Sequence, residues 1–202
     1  MSHYECKQCL KPYQYCECKK ESGVNLIELQ NKIHQQNKEM GWWDELRPFS
    51  TFVCLFHSEL SEAMEGDRKN LMDDHLPQYP MFQVELADFV IRCLDWLGSR
   101  NHRSADENYD FSDINYEKFD EIELISRLHN AVSMSYQSYM DKNNIADFDV
   151  RDGILSCVEV SIEWCKFKGI DLHQIILEKV EYNRTRSDHK RENRAKENGK
   201  KY

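Results

Sequence analysis

Two acidic pairs with the same spacing are the residues of this sequence that could do chemistry. Glu59 and Glu62 form E-x-x-E in LFHSELSEAMEG, and Glu85 and Asp88 form E-x-x-D in VELADFVIRCLDW. Each pair lies beside apolar residues that recur at helical spacing. Side chains three residues apart project from nearly the same side of a helix. If the two helices pack antiparallel, all four carboxylates converge on one spot.

Converging carboxylates can stay ionised in a partly buried site only if a cation is bound, because like charges and burial both raise the pKa of a carboxyl group. Oxygen-only ligands suit Mg²⁺ or Mn²⁺. We therefore predict that Glu59, Glu62, Glu85 and Asp88 bind Mg²⁺ or Mn²⁺; the alternative is two exposed acidic helix faces. A di-iron bundle would need E-x-x-H on two helices, and no histidine of this chain has a glutamate three residues before it.

A basic helix face near the C-terminus complements the acidic pairs. Lys179, Asn183 and Arg186 continue the apolar stripe of Leu172 and Ile176. An ammonium, an amide and a guanidinium on the same side favour an anionic partner, and phosphate is the natural one beside Mg²⁺. The alternative is a fraying helix end whose basic side chains reach into solvent. This face alone leaves both interpretations open.

Aromatic residues follow the first predicted helix. His34 lies at the edge of its apolar face, and Trp42 and Trp43 come directly after Gly41. Two adjacent tryptophans do not both fit one core direction, so one could stack on a nucleobase. The alternative is a tryptophan that seals the corner after this helix.

The eight cysteines fall into two groups. Cys6, Cys9, Cys16 and Cys18 form C-x2-C-x6-C-x-C, a spacing that suits four thiolates around one tetrahedral zinc. We predict a structural zinc there. Disulfides are typical of secreted chains, which nothing here indicates, and free thiols are the other alternative. The remaining cysteines lie singly in apolar helical patterns and are expected to be reduced core residues: Cys54, Cys93, Cys157 and Cys165.

The elements that must position these residues are helices. The 202 residues, 40% hydrophobic and 11% aromatic, suit one globular domain with a small appendage. We predict an all-α bundle of about six helices, an all-α domain at 24–202 and a zinc knuckle at 1–20. The second helix is expected to start at Ser50 or Thr51. Helices are expected to end at Gly41, Gly66, Gly98 and Gly169. The predicted helices cover about 24–40, 50–65, 81–97, 119–140, 150–168 and 171–186.

Charge and hydropathy exclude some classes of protein. The net charge of −9 argues against a protein that coats nucleic acid; contact through the knuckle or the basic tail after Arg186 stays open. The apolar runs are too short to span a bilayer, and MSHYECKQC has no signal-peptide core. We expect a cytoplasmic protein with no membrane partner.

The motifs, taken in order, resemble the MazG-like, all-α nucleoside triphosphate pyrophosphohydrolases, a family that includes dimeric dUTPases and dCTPases. The resemblance covers about 24–98 and 150–202. It implies that Glu59, Glu62, Glu85 and Asp88 ligate Mg²⁺ bound to the triphosphate. It also implies phosphate contacts from Lys179, Asn183 and Arg186, and nucleoside contacts from His34 and Trp43. The matching segments are NKIHQQNKEMGWWDE, LFHSELSEAMEG, VELADFVIRCLDW, GIDLHQIILEKVEYNRTR and GKK.

The implied reaction is hydrolysis of a (deoxy)nucleoside triphosphate to the monophosphate and pyrophosphate, with Glu59 or Glu62 taking a proton. Members of this family are usually dimers or higher oligomers. The motifs leave the nucleobase open. Two further hypotheses are a zinc-knuckle adaptor that binds nucleotide without turnover and a purely structural domain.

Three features depart from the family pattern. Residues 99–149, with an extra helix, replace a short link between the third helix and the last helical pair. Ser187 stands where proline commonly follows the tail arginine, and KRENRAKEN separates His189 from GKK. The knuckle lies outside the catalytic fold, so the chain could also dock a partner.

Overall fold

The computed structural model describes residues 25–100, 114–141, 147–194, 196 and 198–200. Within these ranges the chain forms seven α-helices and no strand, so the all-α prediction is confirmed. All six predicted helices are present, and the seventh is a single turn in the tail. The helices are α1 (Leu26–Glu39), α2 (Phe49–Lys69), α3 (Met81–Ser99), α4 (Glu121–Met140), α5 (Asp147–Lys168), α6 (Leu172–Thr185) and α7 (Arg191–Arg194).

Helix α3 lies at the centre of the bundle. It is apolar on nearly every side, and such a helix must be buried by its neighbours. Helices α1, α2, α5 and α6 all pack against it. The few polar residues of α3 therefore lie at the boundary of the core, where their side chains meet groups from other helices.

Helices α2 and α3 run antiparallel. Phe49 at the start of α2 contacts Trp96 near the end of α3, with 4.7 Å between ring centroids. At the opposite end, a Cβ atom on Gly66 would lie 2.8 Å from Cβ of Met81. This arrangement is the one that the convergence of the two acidic pairs requires.

The predicted helix ends are right at two glycines and wrong at two others. Gly41 and Gly169 have positive φ, as predicted. Gly66 and Gly98 lie inside α2 and α3 instead, where the absence of a side chain lets a neighbouring element approach. Asn70 takes the left-handed position after α2.

The predicted cap of α2 at Ser50 or Thr51 is also wrong. The helix begins at Phe49, directly after Pro48. Pro48 is extended and offers no capping side chain, and its carbonyl accepts a 3.0 Å hydrogen bond from the Thr51 amide.

The region 99–149 contributes the extra helix that was predicted. Asp120 caps the start of α4 by accepting a hydrogen bond of 2.8 Å from the Glu123 amide. Helix α4 packs against α5 and α2, and at the α2 contact Nδ1 of His57 lies 2.7 Å from Nδ1 of His129. The helix is therefore an integral part of the core.

The chain after α6 packs back onto the turn that follows α1. Arg194 covers the ring of Trp42 at 3.5 Å from its centroid and donates a 3.2 Å hydrogen bond to the carbonyl of Met40. Arg191 donates a 2.6 Å hydrogen bond to Asp44. The basic tail thereby covers the turn that follows α1.

The cysteine predictions have mixed outcomes. Cys93, Cys157 and Cys165 are buried free thiols, as predicted, whereas Cys54 is exposed, so its assignment to the core is wrong. It lies on the outer face of α2. The knuckle cysteines and the boundary near residue 20 lie outside the described residues. None of the described helices is long and apolar enough to cross a membrane.

Candidate functional site

Three of the four predicted metal ligands meet between α2 and α3. Glu59, Glu85 and Asp88 each contribute one carboxylate oxygen to a cluster in which these atoms lie within 4.8 Å of one another. Glu59 and Glu85 are buried, and Asp88 is partly exposed. Antiparallel packing brings Glu59 opposite the i, i+3 pair of α3, so three carboxylates face one small volume.

Glu62 is the fourth predicted ligand, and it lies outside this carboxylate cluster. It is exposed, one turn further along α2. Its negative charge still raises the pKa values of Glu59 and Glu85. Glu62 is therefore close enough to act on the cluster while its carboxylate remains accessible to solvent.

The pKa values of the cluster show how strongly it disfavours negative charge. Burial, followed by repulsion from Asp88, raises the pKa of Glu85 to about 9. Burial also raises the pKa of Glu59, although the positive charge of Arg92 opposes that effect. In the absence of a bound cation, Glu85 is consequently protonated at neutral pH.

Two basic side chains contact the cluster, one from α6 and one from α3. Lys179 of α6 is only 1% exposed, and its Nζ lies 3.0 Å from Oδ2 of Asp88. Arg92 of α3 donates from Nε to Oε1 of Glu59 over 2.5 Å. Glu85 forms neither an ion pair nor a hydrogen bond through its side chain with the residues described. Each of the other two carboxylates has its own cation.

Burial of Lys179 excludes the fraying-helix interpretation for this side chain. A fraying helix end would leave the ammonium in solvent, whereas this one is enclosed. Burial lowers the pKa of Lys179, but attraction to Asp88 outweighs that effect and raises it overall. Lys179 is thus a charged group held inside the protein beside the carboxylates.

Arg186 and Asn183 lie further along the same helix end. Arg186 forms two hydrogen bonds with Asp188, of 3.0 and 2.8 Å, and Lys200 binds the same carboxylate at 3.0 Å. The charge of Asp88 also acts on Arg186. Oδ1 of Asn183 is buried and has no hydrogen-bond partner within the described part of the chain.

His34 and Trp43 are joined by one carboxylate that the sequence reasoning did not single out. Oδ1 of Asp95 accepts hydrogen bonds from His34 Nδ1 over 2.8 Å and from Trp43 Nε1 over 2.9 Å. Trp43 also stacks on Phe52, with 5.2 Å between centroids. Trp43 therefore packs against the core after α1, and its indole N–H is held by the same carboxylate as His34.

Arg92 and Asp95 are the functional candidates that sequence reasoning missed. They follow Asp88 by four and seven residues, so they lie on the same face of α3. The available signal was a polar series at 85, 88, 92 and 95 within an otherwise apolar helix. Helical spacing alone could have assigned all four residues to one side.

No protein-family model matches this chain, and neither a curated protein nor a solved structure matches it. The site is therefore interpreted from its own residues. Three oxygen donors lie together beside a buried ammonium and an arginine, and His34 and Trp43 meet Asp95 further along α3. This arrangement can hold a hard divalent cation and a polyanion side by side.

Proposed function

We propose that the protein is a Mg²⁺- or Mn²⁺-dependent nucleoside triphosphate pyrophosphohydrolase of the MazG-like type. The observation that carries the proposal is the cluster of Glu59, Glu85 and Asp88 with buried Lys179 against it. Carboxylates hold the cation, and an adjacent ammonium attracts the phosphates that accompany such a cation. The order of the motifs along the sequence supports the same function.

The residues of the cluster fit Mg²⁺ by their chemistry. All three donors are carboxylate oxygens, the ligand type that Mg²⁺ and Mn²⁺ prefer. The unpaired Glu85, whose pKa is raised to about 9, would release its proton to solvent when such a cation binds its carboxylate. When bound, Mg²⁺ polarises phosphate oxygens and makes water more acidic. Glu62 could join the ligands from the exposed edge.

The reaction needs a proton acceptor beside the cluster. The oxygen of a water molecule attacks the α-phosphorus, the bond from this phosphorus to the bridging oxygen breaks, and pyrophosphate leaves. The proton of the water passes to a carboxylate. Glu59 is a buried ligand of the cluster, whereas Glu62 is exposed, so Glu62 is the acceptor that we favour of the two.

The phosphates and the nucleoside lie along α3 in this proposal. Lys179, Asn183 and Arg186 bind phosphate oxygens near Asp88. Seven residues separate Asp88 from Asp95, which is roughly 10 Å along a helix axis. That rise is comparable with the length from a phosphate to its base, so His34 and Trp43 hold the nucleoside. The identity of the base stays open.

The experiment is a pyrophosphate-release assay with Mg²⁺ and a panel of canonical and modified nucleotides. Glu59→Gln should abolish release of pyrophosphate, because it removes a charged ligand from the cluster. Glu65→Gln is the matched control on the same helix, since the ion-pair partners of Glu65 among the described residues are Arg68 and Lys69, both outside the cluster. Metal binding without pyrophosphate from any nucleotide would favour the non-catalytic adaptor instead.

We also propose a homo-oligomer, which the family resemblance implies. Helix α4 carries exposed apolar side chains that a second copy could cover: Ile122, Met134, Tyr139 and Met140. Light scattering on the purified protein tests this point, and a mass of one chain at micromolar concentration would contradict it.

A further inference from the structure

Arg92 is a charged residue at the site to which the mechanism above gives no part. It lies on α3 one turn after Asp88, and its Nε donates to Oε1 of Glu59 over 2.5 Å. Its side chain is 38% exposed, against 6% for Glu59. Arg92 therefore reaches from the buried carboxylate of Glu59 to the protein surface.

Most of the hydrogen-bonding capacity of Arg92 is unused. A guanidinium has five N–H donors in one plane, and only Nε–H is engaged by a described residue. Both terminal amino groups are left for another acceptor. A planar fork of this kind matches the oxygens of phosphate.

The field around Arg92 places it with the cations of the tail. The charges of Arg186, Lys200 and Arg92 all lower the pKa of His189, which burial and these charges bring to about 4. Arg92 thus lies close enough to His189 to act on it together with Arg186 and Lys200. An anion bound beside His189 would lie within the field of all three residues.

A divalent cation bound to Glu59 competes directly with Arg92. Both are positive, both need the oxygens of the same carboxylate, and they repel each other at this distance. Loading the cation therefore weakens the Arg92–Glu59 ion pair. It also brings a phosphate acceptor to the guanidinium if a nucleotide accompanies the cation.

We propose that Arg92 exchanges partners: it pairs with Glu59 in the metal-free protein and binds a nucleotide phosphate once the divalent cation occupies the carboxylate cluster. This inference rests on the proposed function. The exchange makes cation binding and phosphate binding mutually reinforcing, because each removes a cost of the other.

The test measures the two binding events separately on Arg92→Gln. Titration of the metal-free protein with Mn²⁺, followed by paramagnetic resonance, should show binding about threefold to tenfold tighter, because a competing charge is gone. Calorimetric titration with inorganic tripolyphosphate in saturating Mg²⁺ should show binding about tenfold weaker, because a phosphate partner is gone. A structural role alone would not move the two affinities in opposite directions.

Two further variants control the experiment. Arg68→Gln removes an arginine–glutamate pair of α2 outside the cluster and should leave both affinities unchanged. Arg92→Lys keeps the charge but lacks the fork, so it should bind Mn²⁺ as the wild type does and still bind tripolyphosphate more weakly. This second variant also keeps the test decisive if Arg92→Gln does not fold.

Other outcomes overturn the inference. If Arg92→Gln weakens both affinities, Arg92 only holds the site together. If Mn²⁺ binds more tightly while tripolyphosphate binding is unchanged, Arg92 is a competitor and not a phosphate ligand. A wild type that binds neither Mn²⁺ nor tripolyphosphate would overturn the proposed function and this inference with it, a result distinguishable from the first two.

Discussion

Lys179 of α6 and Asp88 of α3 form an ion pair in the interior, with 3.0 Å between Nζ and Oδ2. The Lys179 side chain is 2% exposed and that of Asp88 is 17% exposed. Removing one partner of such a pair leaves the other charge buried and uncompensated, which is strongly destabilising. The pair therefore ties the last long helix to the carboxylate cluster.

Lys179→Met should lower the free energy of unfolding by about 2–4 kcal/mol in metal-free buffer. The reason is that Asp88 loses its hydrogen-bonded cation. Mg²⁺ should restore part of the loss, because it supplies a new positive charge to Asp88. Urea unfolding with and without Mg²⁺ measures both effects. Lys190→Met, at an exposed position in the tail, should change the stability by less than about 0.5 kcal/mol. If both variants changed the free energy of unfolding equally, Lys179 would not be the buried cation that stabilises Asp88.

Glu85→Gln should stabilise the metal-free protein at pH 8. In the folded protein the pKa of Glu85 is raised to about 9 from a usual 4.5. Between about pH 4.5 and pH 9 the folded state therefore binds a proton that the unfolded state has lost. Its contribution to stability is complete below about pH 4.5 and is lost as the pH rises towards 9. The variant has no such loss, and its free energy of unfolding at pH 8 should exceed that of the wild type by about 1–3 kcal/mol.

The same variant should lose its response to metal. Mg²⁺ should raise the melting temperature of the wild type at pH 8 and leave Glu85→Gln unchanged, because a cluster ligand is gone. Glu117→Gln, which changes an exposed carboxylate on the 3-10 turn before α4, should respond as the wild type does. A Glu85→Gln protein that is less stable at pH 8 would show that Glu85 is not the unpaired, protonated group of the cluster.

Helical periodicity predicted the bundle and the convergence of the acidic pairs, because burial of an apolar stripe dictates which side of a helix faces the core. The six predicted helices lie within a few residues of the observed ones. Glu59, Glu85 and Asp88 meet because Glu85 and Asp88 project from the same side of α3 and the antiparallel helix α2 places Glu59 against that side. Glu62 is the exception, since one further turn along α2 reaches the exposed surface.

Partners across helices could not be predicted in the same way. The pairing of Arg92 with Glu59 and the shared contact of Asp95 with His34 and Trp43 depend on the rotation of α3 within the bundle. Gly98 shows the same difficulty: it was assigned to a helix end, but a Cβ there would lie 2.7 Å from Cβ of His34. Glycine at a close helix contact and glycine at a helix end look alike in a sequence.

Asp188→Asn should tighten phosphate binding. The Asp188 carboxylate occupies both the fork of Arg186 and the ammonium of Lys200, so an incoming phosphate must displace it. Without that charge, inorganic tripolyphosphate should bind about fivefold to tenfold more tightly in calorimetry with Mg²⁺. Asp44→Asn is the matched control, because Asp44 pairs with Arg191 of the same tail. Weaker binding by Asp188→Asn would mean that Asp188 positions the cations.

Asp95→Asn should weaken binding of the nucleotide without weakening binding of inorganic tripolyphosphate. One oxygen of Asp95 accepts from both His34 and Trp43, and loss of its charge loosens both side chains of the nucleoside site. We expect an affinity about tenfold lower for the best nucleotide of the panel. Tripolyphosphate, which lacks a base, is the internal control. Equal losses for the two ligands would place the role of Asp95 in the phosphate site or in folding.

The N-terminal cysteines should bind about one zinc ion per chain, because four thiolates complete a tetrahedral structural site. Cys6 and Cys9 supply half of the predicted ligands, so the double variant Cys6→Ser, Cys9→Ser should lose the metal. Metal analysis of the purified proteins by mass spectrometry measures the zinc content directly. Cys54→Ser, which changes an exposed cysteine of α2, should keep the full content. Full zinc content in the double variant would refute the four-thiolate site, and pyrophosphate release by a zinc-free variant would show that the knuckle serves another task.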